Sequence, residues 1–419
     1  MNFPRMGYQL KFCWRTYFVL AVFLFGASHC YFPSAKLVCS RSMGSSLVPR
    51  RSKRLRENDD LRLQASKDAQ EAEIRSTTTP MLRAGLLADI QYAPIPDGFS
   101  YSGSPRYYQH ALDVARSACI HFEQEKVDVV LNLGDIVDGK CQSIVENGGK
   151  ALPSDRDVGE QCVEHVMEAL SHYKNGDILH SYGNHCLYNM DRQTLQKKLG
   201  IPFVKEPCGD LVGYYSSVKN GVRFVVLDSY DIALMGRCEK TSNKHREATE
   251  ILKANNPNFP AHENSPEGMN GLAKRFVAFN GGIGQVQLEW LRNTLSEARK
   301  KGDKVIILSH QPILPGSSSP VCLVWNYSEV LHVLRDFRDV VTASFSGHAH
   351  KGGYRRDEKS GIHFRVFEAA LENPDPHKTY AMVSVHDDRL EITGFGNCES
   401  AVYNLDHNLA HSVSLKRLQ

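Results

Sequence analysis

The chain has 419 residues, 42% of them hydrophobic, and a formal net charge of +3, so it can bury a full core. That small charge hides an asymmetry: residues 1–80 carry 13 Lys/Arg against 6 Asp/Glu, which leaves 37 against 41 in residues 81–419. The mildly acidic body excludes a nucleic-acid footprint and points to a small anionic substrate. The 11 cysteines are scattered with no Cys-x-x-Cys pair, which excludes a disulfide scaffold and a structural zinc site and reads as reduced thiols in a large core.

At the N-terminus, Arg5, Lys11 and Arg15 precede an apolar stretch from Tyr17 to Ala27. Residues 1–30 therefore read as a signal peptide or signal anchor, with an apolar segment too short to span a bilayer comfortably. Residues 31–80 are Ser- and Arg-rich, poor in aromatics and free of acidic residues before Glu57, the composition of a disordered presequence or linker. This predicts delivery to the secretory pathway or a plastid, and a cytoplasmic product if translation starts at Met43 or Met81. Membrane contact is expected only through this segment, if it stays uncleaved.

A folded domain is expected over residues 81–400, with a tail over 401–419. Strands are predicted at 84–88, 127–133, 178–181, 222–227, 305–309, 341–345, 362–367 and 381–385, several of them continuous runs of Val, Ile and Leu. The last is expected to pair with 390–393 across His386-Asp387-Asp388 as an antiparallel hairpin. Helices are predicted at 107–125, 160–171, 285–300 and 327–338.

Five of these strands run directly into polar clusters: Asp89-Ile90-Gln91, Gly134-Asp135, Gly183-Asn184-His185, His310, and Gly347-His348-Ala349-His350. Loops at the C-terminal ends of strands converge on one crevice, so residues far apart in sequence can meet there. Turn formation alone accounts for Gly134-Asp135. It does not account for His310 closing an apolar strand, or for two histidines two residues apart.

The residue types suit a pair of divalent cations acting on a phosphate ester or anhydride. Asp135 is assigned as the bridging carboxylate. Asp89, Gln91 and His350 complete one pocket; Asn184, His310 and His348 complete the other. His185 is left to hydrogen-bond a phosphoryl oxygen in the transition state or to protonate the departing group, with a further ligand as the alternative. The neutral amide of Gln91 favours Mn²⁺, with Mg²⁺ as an option, over Zn²⁺ or iron. A dinuclear metal-activated hydroxide would then attack phosphorus in line.

The clusters resemble those of the calcineurin-like metallophosphoesterases, with Gln91 where a histidine is usual and Cys186 where a glutamate often follows G-N-H. Purple acid phosphatases are disfavoured, because Asp138 stands where they carry a tyrosine. Longer segments resemble the manganese-dependent ADP-ribose/CDP-alcohol diphosphatases, over roughly residues 83–397. They include 183–189 (GNHCLYN), 224–236 (FVVLDSYDIALMG), 279–282 (FNGG), 322–327 (CLVWNY) and 347–353 (GHAHKGG). The resemblance implies an α/β fold of four layers, an α/β/β/α sandwich, with two Mn²⁺ ions. It implies cleavage of the pyrophosphate bond of ADP-ribose to AMP and ribose 5-phosphate, and of CDP-alcohols such as CDP-choline or CDP-glycerol to CMP and a phosphoalcohol. The expected partners are these small nucleotide diphosphates, with no nucleic acid, and the chain is expected to be a monomer. Other phosphodiesters or phosphomonoesters, cyclic nucleotides among them, are the alternative substrates, and a non-catalytic scaffold is the alternative role. For substrate contact, Phe99, Trp325 and Tyr327 are candidates to flank a base or ribose. Cys322 and Asn326 are candidates to shape the pocket wall, and Arg106 to meet a phosphate. The aromatics have a place in the core as their alternative. Asn280-Gly281-Gly282 suits a close backbone approach.

Overall fold

The structure is a computed structural model describing residues 79–405 apart from 151–156. The expected presequence up to residue 78, and residues 406–419, lie outside the described residues. The strands β1 (Leu82–Leu87), β2 (Val129–Asn132), β3 (Ile178–His180), β4 (Tyr215–Lys219), β5 (Val222–Leu227) and β6 (Lys304–Ser309) come first along the chain. They are followed by β7 (Val341–Ser346), β8 (Lys351–Arg356), β9 (His363–Glu368), β10 (Tyr380–Val385), β11 (Arg389–Phe395) and β12 (Ala401–Asn404). They build two six-stranded sheets, ordered β12-β11-β10-β1-β2-β3 and β8-β9-β7-β6-β5-β4. The expected hairpin across residues 386–388 is β10 with β11, antiparallel. β12 pairs with β11, so the domain runs past the boundary expected at residue 400.

Alternation along each strand sets the layering, because successive side chains point to opposite faces. Val222, Phe224 and Val226 of β5, with Ile306 and Leu308 of β6, face Leu82, Ala84 and Leu86 of β1 in the core between the sheets. The intervening Val225, Leu227, Val305 and Ile307 face outward. There they pack on α6 (Gln285–Lys301) and α7 (Tyr327–Asp336) through Leu288, Leu291, Leu295, Val330 and Leu334. On the far side, Leu87 and Val130 pack against α1 (His110–Gln124) and α2 (Val158–Leu170). Helix, sheet, sheet, helix is the four-layer sandwich expected. The α6 helix shows why its sequence is helical. Its buried residues recur at near 3.6-residue spacing, its last turn holds Arg299, Lys300 and Lys301, and Gly302 closes it in the left-handed region at φ 75°.

Three helices escape the sequence pattern: α3 (Asn184–Asn189), α4 (Arg192–Leu199) and α5 (Asn243–Asn255). The first two are short, and α5 buries only Lys244, Ala248 and Leu252, so its apolar stripe is thin. Side-chain caps mark two of them. Asp191 accepts from Thr194 N–H at the start of α4, and Ser242 accepts from His245 N–H at the start of α5. Edge strand β8, KGGYRR, carries no apolar run at all. Among the described residues no helix is long and apolar enough to cross a membrane.

Strands β1, β2 and β3 are parallel, as are β5, β6, β7 and β9. Their C-terminal ends carry all five polar clusters. A buried ion network braces the loop after β5: Arg192 pairs with Asp228, Arg237 lies 3.2 Å from Asp231, and Lys244 lies 2.7 Å from Glu206 while also bonding Asp231. Removing one member strands its partner's charge in the core, which costs about 3–5 kcal/mol. Arg192→Met is therefore expected to lower the unfolding free energy by about that much. Urea denaturation measures it, and an unchanged midpoint with an unchanged slope would contradict the ascribed role.

Candidate metal centre

The ladder between β1 and β2 is carried past the strand ends into the loops: Asp89 N–H donates to the Gly134 carbonyl at 3.3 Å and Gln91 N–H to the Asp135 carbonyl at 2.7 Å. Asp89, Gln91, Asp135, His348 and His350 adopt φ of 50°, 42°, 52°, 68° and 61°. Among the described residues only two other non-glycine residues, Lys126 and Asn220, share that left-handed region. Such backbone costs on the order of 1–3 kcal/mol per residue and gathers where a turn must aim a side chain. Two glycines give the cluster room. A Cβ on Gly183 would collide with the Asp135 carboxylate. One on Gly134, at φ 98°, would press on His310 Nδ1.

Asp135 sits at the centre, buried with 1% of its surface exposed. Its Oδ1 accepts from His185 N–H at 2.8 Å. Its Oδ2 lies 3.2 Å from His310 Nε2 and 3.2 Å from Gln91 Nε2. Asp89 accepts from His348 N–H at 2.9 Å and stands 3.5 Å from His350 Nε2. Each imidazole is held by the nitrogen that faces away. His310 Nδ1 meets the Leu133 carbonyl at 2.7 Å, His348 Nε2 meets Asn280 Oδ1 at 2.9 Å, and His350 Nδ1 meets Glu372 Oε1 at 2.9 Å. These partners fix the ring orientation and leave His310 Nε2, His348 Nδ1 and His350 Nε2 for the site. Ligand atoms of Asp135, His310 and His348 all fall within 4.8 Å of one another.

The buried charges act on each other. Burial pushes the Asp89 carboxyl above its usual range against the pull of His350 and His310. Burial works the same way on Asp135, but His310 and His185 overcome it and hold that carboxyl well below the usual range. Burial opposes a charge on His310, and Asp135 beside it still raises it to about 9. Burial, and then the neighbouring His310, keep His348 far below an ordinary imidazole. One carboxylate thus stays anionic at the centre of the cluster, as a bridging ligand requires.

The sequence model for calcineurin-like phosphoesterase matches residues 82–352. A protein named manganese-dependent ADP-ribose/CDP-alcohol diphosphatase, from Oryza sativa subsp. japonica, is 38% identical over 321 residues, covering 76% of this chain and 92% of the relative. This chain belongs to that diphosphatase family. A relative of the same name from Danio rerio is 35% identical, over 76% of this chain and 97% of its own length. The crystal structure of a dimetal phosphatase from Danio rerio superposes with a TM-score of 0.69 at 34% identity, covering 78% of this chain and 100% of that one.

The residues of this diphosphatase family member fit divalent cations. Carboxylates, carboxamides and imidazoles converge, and buried His310 Nε2 faces Asp135 Oδ2 at 3.2 Å without a well-aligned hydrogen bond. Gln91 differs from the sequence expectation in one respect. Its amide oxygen accepts from Arg106 Nη1 at 3.0 Å, while Nε2 faces Asp135 and lies 3.0 Å from His350 Nε2. Half a turn of the amide would present its oxygen to those same atoms.

A cavity of about 990 Å³ opens over the cluster. Arg106 and Cys322 line it. Arg106 is already engaged, bonding Asp138 Oδ2 at 3.3 Å as well as Gln91. The other substrate candidates stand elsewhere. Trp325 is buried in a satellite core with Ile232 and Leu252, and Asn326 brackets Ile283 by bonding its N–H and its carbonyl. Tyr327 packs beneath the Arg275 guanidinium, and Phe99 is 71% exposed outside the lining. For Trp325 and Tyr327 the core alternative holds. The aromatic residues on the cavity wall are Tyr101, Tyr188 and Phe279. Tyr188 and Phe279 lie in the segments GNHCLYN and FNGG, so the signal was present but fell on other residues. Asp138, which no local sequence pattern marks, brings its Oδ2 to 3.4 Å from His185 Nδ1.

Proposed function

We propose that this chain hydrolyses the pyrophosphate bond of ADP-ribose, giving AMP and ribose 5-phosphate, and of CDP-alcohols, giving CMP and a phosphoalcohol, with two Mn²⁺ ions as cofactors. The observation that carries the reading is the Asp135 carboxylate, shared between two groups of ligating atoms in a member of this diphosphatase family. Asp89, Gln91 and His350 would hold one ion and Asn184, His310 and His348 the other, with Asp135 common to both. Bound there, the ions supply Lewis-acid charge to the phosphoryl oxygens and make a water nucleophilic near neutral pH.

The chain's own contribution is orientation and charge. Gly139 N–H donates to His185 Nδ1 at 2.8 Å, so the neutral ring carries its proton on Nε2. His185 lines the cavity and offers that proton to a phosphoryl oxygen or to the departing phosphate as the P–O bond of the anhydride breaks. Asp138 Oδ2 stands 3.4 Å from Nδ1, and Arg106 ties Asp138 to Gln91. Tyr101, Tyr188 and Phe279 supply apolar wall for a base or ribose.

Product analysis after incubation with Mn²⁺ and either ADP-ribose or CDP-choline tests this directly. Equimolar AMP and ribose 5-phosphate from the first, and CMP and phosphocholine from the second, are expected. Cleavage of bis(p-nitrophenyl) phosphate with both nucleotides left intact would transfer the chain to the phosphodiesterase reading.

A further inference from the structure

We propose that Tyr230 is a positioning residue for the second cation pocket, holding the Asn184 carboxamide so that its oxygen, not its nitrogen, is offered as a ligand. This rests on the dinuclear reading above and adds a residue outside the ligand set. The two ends of a carboxamide have almost the same shape, and only the oxygen coordinates a cation. Something beside Asn184 must choose the end.

The Tyr230 hydroxyl lies 3.1 Å from Asn184 Oδ1. Tyr230 is fully buried, with its ring centroid 5.9 Å from that of His310. The hydroxyl donates this bond and Asn184 Oδ1 accepts it. Because a carboxamide oxygen has two lone pairs, it accepts this bond and still ligates.

The tyrosine itself is clamped. Its N–H donates to Asp228 Oδ1 at 3.1 Å, and its carbonyl accepts from Arg192 Nη2 at 2.5 Å. Arg192 opens α4, just after the helix that begins at Asn184. The brace therefore closes on itself: Asn184 leads to Arg192, Arg192 grips the Tyr230 backbone, and Tyr230 returns to Asn184.

The test is Tyr230→Phe in the full chain, titrated with Mn²⁺ and followed by bound-metal stoichiometry and by electron paramagnetic resonance of the coupled pair. The unsubstituted chain is expected to take up two ions. The variant is expected to keep the first with unchanged affinity and to bind the second about 10–100-fold more weakly, as other outer partners of metal ligands do. Adding Asn184→Asp, whose two ends are both oxygen, is expected to restore tight uptake of the second ion in the Tyr230→Phe background; a packing defect would not be rescued this way. Two ions bound by Tyr230→Phe with unchanged affinities would overturn the role of Tyr230 alone. Fewer than two ions in the unsubstituted chain would overturn the dinuclear reading together with this inference.

Discussion

An Asp135→Asn chain is expected to lose bound manganese and turnover together, each by at least about a hundredfold. In the proposed assignment the carboxylate is common to both pockets, so its loss would not be confined to one ion. The replacement has almost the same volume, which removes packing as an explanation. What changes is the charge and one acceptor. Asp135 now receives the His185 N–H at Oδ1 and the Gln91 amide at Oδ2. An asparagine would turn an N–H₂ towards one of those donors, and a donor facing a donor in a buried site is costly. Metal content after dialysis, read beside kcat, checks both halves of the statement. Undiminished activity in this variant would remove Asp135 from the bridging position.

His185→Ala is expected to behave in the opposite sense with respect to metal. It should keep two ions and lose about 10²–10³ in kcat, the usual effect of deleting one donor aimed at transition-state charge. The reason lies in the tautomer: Nδ1 accepts the Gly139 N–H, so the proton sits on Nε2, the nitrogen left to face the cavity, which makes it a donor and not a ligand. Substrate binding should change less than kcat, because the bond to the phosphoryl oxygen strengthens as charge develops. Metal analysis and steady-state kinetics on the same preparation decide the matter. Loss of an ion would make His185 a ligand instead.

The ligand clusters were legible because each needs only a strand and the few residues after it. Asp89, Asp135, Asn184 and His310 follow runs that contain Val, Ile or Leu, while the strand before His348, VTASFS, holds a single Val; the strand expected at 222–227 has those same bounds. The partners that orient those ligands were not legible. Asn280 reaches His348 from 68 positions away and Glu372 reaches His350 from 22, and neither spacing has any local signature. The aromatic residues expected at the substrate wall stand elsewhere for a related reason. In CLVWNY the largest aromatic, Trp325, takes the core, because a ring of that size gains more from complete burial than from half-exposure at a rim. Of the helices, α5 was hidden by its charge: a helix that buries so few residues is held by its Ser242 cap and its Lys244 ion pairs more than by an apolar stripe.

The left-handed turns beneath five of the site residues carry a consequence for how such a protein can change. Glycine at any of those positions would relax the turn that an aspartate, glutamine or histidine holds at a cost. Selection for heat endurance alone would therefore favour discarding the reactive groups one at a time, each loss making a sturdier and less capable chain. Thermal screening of random variants should accumulate inert survivors at these sites unless turnover is demanded in the same round.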